Sequence, residues 1–210
     1  MAENENDITL GLLNTVEENS NVTQRVVAND LGIALGLANS YLKRCITKGL
    51  IKVSQAPKNR YAYYLTPQGF AEKSRLTAEY LSQSLNLFRV ARKESGELLD
   101  LCTERGWNKV VFVGTGDLGE IATLCAREHT IEIIGFVDAT DKDDTFAGLP
   151  VFGAEEGFNK ADAAIVTDMK TPQATFEFAL ESLTPDRVLA PRFLRVSRNH
   201  LKESASEGKS

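Results

Sequence analysis

Three glycines at the spacing G-x-G-x-x-G mark the stretch of this sequence with the clearest chemical meaning. An apolar run precedes them, an amphipathic segment over 120–128 follows, and a second apolar run over 131–137 ends at an aspartate. The order strand, glycine turn, helix, strand and acidic residue is typical of nucleotide-binding folds. In such folds the loop amides bind a phosphate and the carboxylate binds ribose hydroxyls. The pattern therefore predicts a nucleotide site. Its residues would be Gly114, Thr115, Gly116, Asp117, Leu118, Gly119 and Asp138.

Each part of this loop has an expected role. Gly116 would let the backbone approach a phosphate, and Gly119 would let the helix pack closely on the strand. The acid at position 138 favours an unphosphorylated ribose over the phosphorylated ribose of NADP. The alternative, which the glycine spacing leaves open, is a turn that only connects a strand to a helix.

A second chemistry is suggested by the basic residues between Gln24 and Arg60. The whole chain carries a formal net charge of −5, which argues against nucleic-acid binding by its entire surface. Within the segment, however, Asp30 is the only acid, and the bases are Arg25, Lys43, Arg44, Lys48, Lys52, Lys58 and Arg60. A local basic face on an acidic protein favours a DNA-binding module joined to another domain. Solvated surface lysines are the alternative that charge alone leaves open.

The elements over residues 1–66 predict a winged helix-turn-helix. A first helix, capped by Asp7 or Thr9, precedes a break at 19–21. Thr23 caps a second helix over 24–31, and a third runs over about 35–48 and stops at Gly49. Two β-prone runs, over 50–54 and 60–65, surround a Pro-Lys-Asn turn and predict a hairpin.

In this arrangement the third helix would enter the major groove of double-stranded DNA. Asn39, Ser40 and Lys43 would lie at base edges or the adjacent phosphates. Asn39 could equally be a helix-face residue without a base contact. The other basic candidates lie on the second helix, the third helix and the hairpin, and we expect them to contact DNA phosphates. They are Arg25, Arg44, Lys48, Lys58 and Arg60.

Residues 67–106 predict a long connecting helix. Thr66 caps it and Pro67 opens it, and it continues to about Glu94. Ser95-Gly96 is expected to interrupt it before a further helix over 97–105. The long apolar stripe needs a partner, which favours a homodimer over packing against its own chain.

From Trp107 onward, short strands alternate with helices, which predicts a parallel sheet over 107–198. The expected elements after Asp138 are a polar loop over 139–144, a strand over 163–167, a helix over 173–183 and a strand over 187–191. The tail over 199–210 is small and charged, and we expect it to be disordered. The fold class is therefore α/β, with a winged helix-turn-helix, a long connecting helix and a parallel-sheet domain.

Several function classes find no support in the sequence. There is no apolar run of about 18 residues, and the acidic N-terminus lacks the features of a secretion signal, so we expect a cytoplasmic protein. Cys45, Cys102 and Cys125 have no paired spacing and are expected to be reduced core residues, and no metal site is expected. Neither a Tyr-x-x-x-Lys pair nor a G-x-S-x-G elbow is present, so we expect no enzyme. Asp141, Asp143 and Asp144 are expected to be solvated.

The first 90 or so residues resemble the MarR-type regulators. The resemblance rests on the segment from Leu31-Gly32-Ile33 through 48–52, followed by Tyr64-Leu65-Thr66-Pro67-Gln68-Gly69 and Glu72-Lys73 at the start of the long helix. It is strongest to the branch associated with exopolysaccharide gene clusters. The wing between Val53 and Tyr61 is short for that family, which makes a minor-groove contact by the wing less secure than the contact by the third helix.

The second half is similar to the small Rossmann-like domains of bacterial polysaccharide-biosynthesis proteins. The matching segments are the glycine loop, Gly135-Phe136-Val137-Asp138 and 148–153. The overall layout also resembles the Rex redox repressors, although the first domain and the short polar end over 196–210 depart from them. These resemblances imply a regulator of polysaccharide genes that senses NAD(H), a nucleotide or a nucleotide sugar. The alternative is a DNA-binding scaffold whose second domain mediates protein association without a small ligand.

Overall fold

The computed structural model of the chain describes residues 5–56, 60–138 and 144–198. The chain divides into two compact units, Met1–Leu85 and Asn86–Ser210. The predicted turn at 57–59, most of the polar loop after Asp138, and the tail predicted to be disordered lie outside the described residues.

The first unit is the predicted winged helix-turn-helix. Its elements are α1 (Glu5–Glu18), α2 (Gln24–Asp30), α3 (Leu35–Thr47), β1 (Ile51–Ala56), β2 (Arg60–Leu65) and the start of α4 (Pro67–Glu104). The two strands pair antiparallel, with Ile51 opposite Leu65 and Val53 opposite Tyr63. The predicted cap of the first helix was wrong. α1 is already helical at Glu5, so the Thr9 hydroxyl lies inside the helix and donates to the Glu5 carbonyl at 2.8 Å.

Local sequence signals explain the other boundaries of this unit. The Thr23 hydroxyl accepts from the amide of Val26 at 3.3 Å and so caps α2. Gly49 ends the turn after α3 with φ +71°, a conformation that favours glycine. The three helices and the hairpin enclose a core whose fully buried side chains include Leu12, Leu13, Val16 and Val27.

The Thr-Pro-Gln-Gly sequence at the start of α4 joins that helix to the hairpin. The Thr66 hydroxyl accepts from the Gly69 amide at 3.0 Å, and it donates to the Gly49 carbonyl at 2.6 Å. A Cβ atom on Gly69 would lie 2.0 Å from the Leu50 carbonyl oxygen. Glycine is therefore required here because the first turn of α4 packs directly on the backbone before β1.

The predicted interruption of the long helix at Ser95-Gly96 was wrong, because α4 is continuous over 38 residues. Ala91, Ser95, Leu99 and Cys102 form its buried stripe within the second unit. Ser95 is buried in this stripe, and tertiary packing outweighs the weak helix propensity of serine and glycine at this point.

The second unit is a parallel sheet with helices between the strands. After α4 come β3 (Lys109–Val113), α5 (Asp117–Ala126), β4 (Glu132–Val137), β5 (Thr145–Phe146), β6 (Leu149–Phe152), α6 (Ala154–Lys160), β7 (Ala163–Val166), α7 (Pro172–Leu180), β8 (Val188–Leu189) and a 3-10 turn (Arg192–Leu194). The strand order is β5-β6-β4-β3-β7-β8, and only β5 is antiparallel to its neighbour. The predicted fold class is confirmed, whereas β5, β6 and α6 were not predicted.

Both faces of this sheet are covered, which explains the apolar runs of its strands. Val110 and Phe112 point into one core cluster with Phe136, and Val111 and Val113 point into the other with Phe176. In the part of the chain that the structure describes, no helix is long and apolar enough to cross a membrane.

Candidate functional site

The carboxyl edge of the parallel sheet holds the predicted glycine loop. β4 and β6 lie on one side of β3, whereas β7 and β8 lie on the other, so the strand order reverses between β3 and β7. In open α/β sheets, ligands bind at such a reversal, outside the carboxyl ends of the strands. A cavity of about 440 Å³ opens there. Its lining includes Gly114, Thr115, Asp138, Asp168, Lys170 and Phe178.

The three glycines of the loop have different surroundings. Gly114 has φ +99°, and a Cβ atom on it would lie 2.6 Å from the Cβ of Asp168. Gly119 faces Phe136, whose Cε1 would lie 2.7 Å from an added Cβ, so the close packing of helix on strand is as expected. Gly116 has φ +146° and no atom within 4 Å of its Cβ position. The space on the Cβ side of Gly116 is therefore open, next to the cavity-lining Gly114 and Thr115.

Asp138 lies next to the loop, as the sequence predicted, and is held there by Thr115. Its Oδ2 accepts the Thr115 amide at 3.0 Å and the Thr115 hydroxyl at 2.9 Å. The two hydrogen bonds orient a half-buried carboxylate at the end of β4, on the wall of the cavity. The Thr115 amide is committed to this carboxylate, so an anion at the loop would depend on the later amides of the α5 start.

Asp168, which sequence reasoning missed, forms the opposite wall. Its carboxylate accepts the hydroxyls of Thr171 and Thr175, each at 2.7 Å, and the amide of Lys170 at 2.7 Å. Burial raises the pKa of this carboxyl, but the hydrogen bonds outweigh burial and leave the pKa below the usual value. Asp168 follows the buried run 163–167, and the rule that strand ends meet at one sheet edge could have found it.

The charges around the cavity are mostly negative. Asp117 and Glu120 are exposed in the first turn of α5, and no side chain caps the helix at Gly116. Lys170 is exposed, and among the described residues that line the cavity it is the one with a basic side chain. Leu118, the remaining predicted loop residue, is fully buried and packs in the unit instead of facing the cavity.

The predicted DNA-binding residues of α3 lie mostly on one solvent-facing surface. Ala38, Leu42 and Cys45 bury the inner face of the helix. Ser40, Lys43 and Arg44 are exposed on the outer face, and Lys48 is exposed directly after the helix. Arg25 is exposed in the first turn of α2.

Four of the predicted DNA-contact residues differ in their surroundings. Asn39 is half-buried, and its side-chain oxygen is buried without a hydrogen-bond partner. Arg44 forms an ion pair with Glu5 of α1, and its guanidinium carbon lies 6.0 Å from the centre of the Tyr41 ring. Arg60 is the first residue of β2, opposite Ala56, whereas Lys58 lies outside the described residues.

The cysteines are free and buried, which confirms the expectation of reduced core residues. Burial raises the pKa of the Cys102 thiol to about 12, so the reactive thiolate is scarce at neutral pH. His129 Nδ1 lies 3.1 Å from the Asp100 carboxylate, and His200 lies outside the described residues. Among the residues described, no group of His, Cys, Asp and Glu could hold a metal ion.

Residues 5–52 match the family of winged helix-turn-helix DNA-binding domains. This range contains the whole of α1, α2 and α3, so the chain carries a winged helix-turn-helix domain of the DNA-binding type. The 4-hydroxy-tetrahydrodipicolinate reductase of Streptococcus uberis is 28% identical over 78 residues, which cover 35% of this chain and 31% of the reductase. The chain thus spans about a third of the length of that curated relative.

Two solved structures of regulators are also similar. MepR, a transcription regulator of the Staphylococcus aureus multidrug efflux pump MepA, is 18% identical with a TM-score of 0.34, over 39% of this chain and 62% of MepR. The match thus spans less than two thirds of MepR. The multiple antibiotic-resistance repressor of Listeria monocytogenes is 19% identical with a TM-score of 0.30, over 47% of this chain and 70% of the repressor.

Proposed function

We propose that this protein is a transcriptional regulator that binds double-stranded DNA and senses a nucleotide-type ligand in its second unit. The observation that carries the proposal is the combination, in one chain, of a DNA-binding winged helix-turn-helix and a cavity at the reversal point of a parallel sheet. The proposal assigns no catalytic step to the chain.

On the DNA side, α3 enters the major groove and presents its outer face. Ser40 and Lys43 are the polar side chains best placed for base edges and neighbouring phosphates, because both are exposed and neither has an acidic partner among the described residues. Arg44 has to leave Glu5 before it can bind a phosphate. Arg25 and Lys48 add phosphate contacts, and we assign the same role to Lys58 and Arg60 on the sequence alone.

On the ligand side, Asp138 accepts hydrogen bonds from ribose or sugar hydroxyls, and the open backbone at Gly116 borders the phosphate or its substitute. The fixed orientation of the carboxylate by Thr115 supports this role. The half-buried Phe178 supplies an apolar surface for a base. NAD(H), a nucleotide and a nucleotide sugar all present these groups, and the limited similarity to a reductase is compatible with each.

The proposed assembly is a homodimer that uses the middle of α4. Residues 81–89 of this helix are all exposed, and Leu81, Leu85 and Phe88 follow one another at helical spacing on one side. Two-fold symmetry would place the two α3 helices about one DNA turn, roughly 34 Å, apart on a pseudo-palindrome. For the ligand to regulate DNA binding, it must bind two arrangements of the dimer with different affinity.

The sequence resemblance to polysaccharide-associated regulators and domains supports polysaccharide biosynthesis genes as the targets. Chromatin immunoprecipitation followed by sequencing, with the protein at its natural level, tests this assignment. We expect the bound sites to lie upstream of genes for sugar-nucleotide and glycosyl-transfer enzymes. Binding sites confined to unrelated genes would contradict it while leaving the DNA-binding proposal intact.

Thermal unfolding in the presence of NAD⁺, NADH, NADP⁺, a nucleotide sugar and coenzyme A tests the ligand proposal. A compound that binds the folded state raises the melting temperature with its concentration. Gly116→Val should abolish the increase, because its side chain would occupy the open space beside the loop. Gly148→Val is the matched control, since Gly148 also has a positive φ (+78°) and open surroundings but lies in the turn between β5 and β6, outside the glycine loop.

The competing function is a DNA-binding scaffold whose second unit binds another protein. If none of these compounds stabilises the wild-type protein, and mass spectrometry of the purified protein finds no retained small molecule, the ligand proposal fails and the scaffold is favoured. DNA binding would stand in either case, because it rests on the first unit.

A further inference from the structure

Leu37 is an apolar side chain on the outer face of α3 that the core does not use. Its side chain and backbone are 42% exposed, in the first turn of the helix. The core of this unit is filled from the other face by Ala38, Leu42 and Cys45. The packing of the unit therefore gives no reason for a leucine at this position.

The neighbours of Leu37 belong to the proposed DNA-binding surface. Leu37, Ser40 and Arg44 follow one another at i, i+3 and i+7, so they lie along one side of the helix. All three are exposed. Gly36, next to Leu37, has no atom within 4 Å of its Cβ position. The first turn thus combines a small residue, which permits close approach of the groove, with an exposed apolar side chain.

The base-reading chemistry of the first turns is limited by Asn39. A bidentate contact with adenine requires both the amide oxygen and the amide nitrogen of asparagine. The Asn39 oxygen is buried in the protein, so this side chain cannot make the bidentate contact in this conformation. Specific readout by the start of α3 must then come from other side chains, and Leu37 is the large exposed side chain on the same side of the helix as Ser40 and Arg44.

We propose that Leu37 contacts the C5-methyl group of a thymine in each half-site, and that this contact selects a thymine at that position. The thymine methyl is the apolar group in the major groove, and apolar side chains recognise it. The N-terminal residues of a recognition helix are the ones that reach base edges. The inference rests on the proposed binding of DNA by α3, and it names the base that the helix reads.

The test starts from a duplex selected by the full-length protein from random DNA. Each thymine of the selected site is then replaced, one position at a time, by 2′-deoxyuridine, which lacks only the methyl group. For the wild-type protein we expect one position per half-site at which the replacement weakens binding about fourfold, the loss of one buried methyl contact. Other thymine positions should change little.

Leu37→Ala identifies the side chain responsible. This variant should bind the thymine duplex about fourfold or more weakly, and its affinities for the thymine and deoxyuridine duplexes should become equal. Leu35→Ala is the matched control. Leu35 is similarly exposed, at 44%, but at i, i+3 and i+7 it shares a side of α3 with the buried Ala38 and Leu42. It should keep the wild-type ratio between the two duplexes.

If the ratio of the affinities for the thymine and deoxyuridine duplexes is the same in Leu37→Ala as in the wild type, the inference is wrong. A selected site without a fixed thymine under the start of α3 would overturn it as well. Both outcomes leave the proposed DNA binding in place. If the full-length protein selects no DNA sequence at all, the proposed function fails first and this inference fails with it. Circular dichroism of each variant confirms that the unit remains folded.

Discussion

Single carboxylates define the walls of the cavity, and each is held by hydroxyl and amide donors of its own chain. Asp138 is bound by Thr115, and Asp168 by Thr171, Thr175 and the backbone at Lys170. Charge-assisted hydrogen bonds of this kind are stronger than neutral ones and fix the geometry of the acceptor. These bonds fix the position of both carboxylates, which would reduce the ordering cost of binding the proposed ligand.

The charge of Asp168 should stabilise the second unit in a pH-dependent way. Its folded-state pKa is lowered, so the stabilisation is complete above the unfolded value of about 3.9 and is lost as the pH falls through the folded value. Asp168→Asn should start from a lower stability at neutral pH and lose less of it between about pH 5 and 2. Urea unfolding followed by fluorescence of Trp107, the single tryptophan, measures this.

The control for this measurement is Asp30→Asn, an exposed aspartate of the first unit. It should leave the unfolding midpoint reported by Trp107 unchanged at every pH. Equal losses of stability in wild type and Asp168→Asn over the acid range would contradict the assigned role of the charge.

Gly114 and Gly116 should respond differently to the same substitution. Gly116→Ala adds only backbone strain, at a cost of about 1–3 kcal/mol, because the space around it is open. Gly114→Ala adds the same strain and a clash with Asp168, which should cost at least about 1 kcal/mol more. Urea unfolding monitored through Trp107 compares the two variants. Equal costs would mean that the loop and Asp168 are not packed as described.

At the scale of elements, α4 continues through Gly96 although the surroundings of this residue do not require a glycine. Gly96 is helical, and a Cβ atom on it would meet only His129 Nε2, at the ordinary contact distance of 3.8 Å. Gly96→Ala should therefore stabilise the protein by up to about 1 kcal/mol through helix propensity. The unfolding midpoint of the variant measures the effect.

The control variant, Gly106→Ala, is expected to change the stability of the protein in the opposite direction. Gly106 follows the end of α4 with φ +72°, so Gly106→Ala should destabilise the protein by about 1–2 kcal/mol. If Gly96→Ala destabilises the protein as Gly106→Ala does, the helix is broken at position 96 and the continuous α4 is wrong.

At the scale of the whole molecule, the exposed stripe on α4 should decide the oligomeric state. We expect the wild-type protein to sediment as a dimer, and Leu85→Glu to sediment as a monomer, because the substitution places a charge in an apolar interface. Leu124→Glu is the matched control, since Leu124 of α5 is exposed to the same extent, 53%, as Leu85. Analytical ultracentrifugation at micromolar concentration distinguishes the cases. A monomeric wild type, or a dimer that survives Leu85→Glu, would exclude this interface.

The sequence predicted most where local signals decide the structure. Thr23 and Gly49 act on their own neighbourhood and mark helix ends, and the order and spacing of the helices and the hairpin predicted the winged helix-turn-helix. The break at Ser95-Gly96 was predicted from propensity alone, whereas tertiary packing determines the helix there. Asp168 was missed because its place beside Gly114 depends on the pairing of β3 with β7, which are separated in the chain by three other strands, β4, β5 and β6. Periodicity shows that a strand exists but not which strand lies beside it.

The central claim, that α3 of this protein binds DNA, is tested most directly by the salt dependence of binding to the selected duplex. We predict that Lys43→Ala weakens binding at all salt concentrations and reduces the slope of log affinity against log salt by about one per lost phosphate contact. Lys109→Ala, an exposed lysine of the second unit, should change neither quantity. If Lys43→Ala binds with the affinity and salt slope of the wild type, α3 is not the DNA-binding helix.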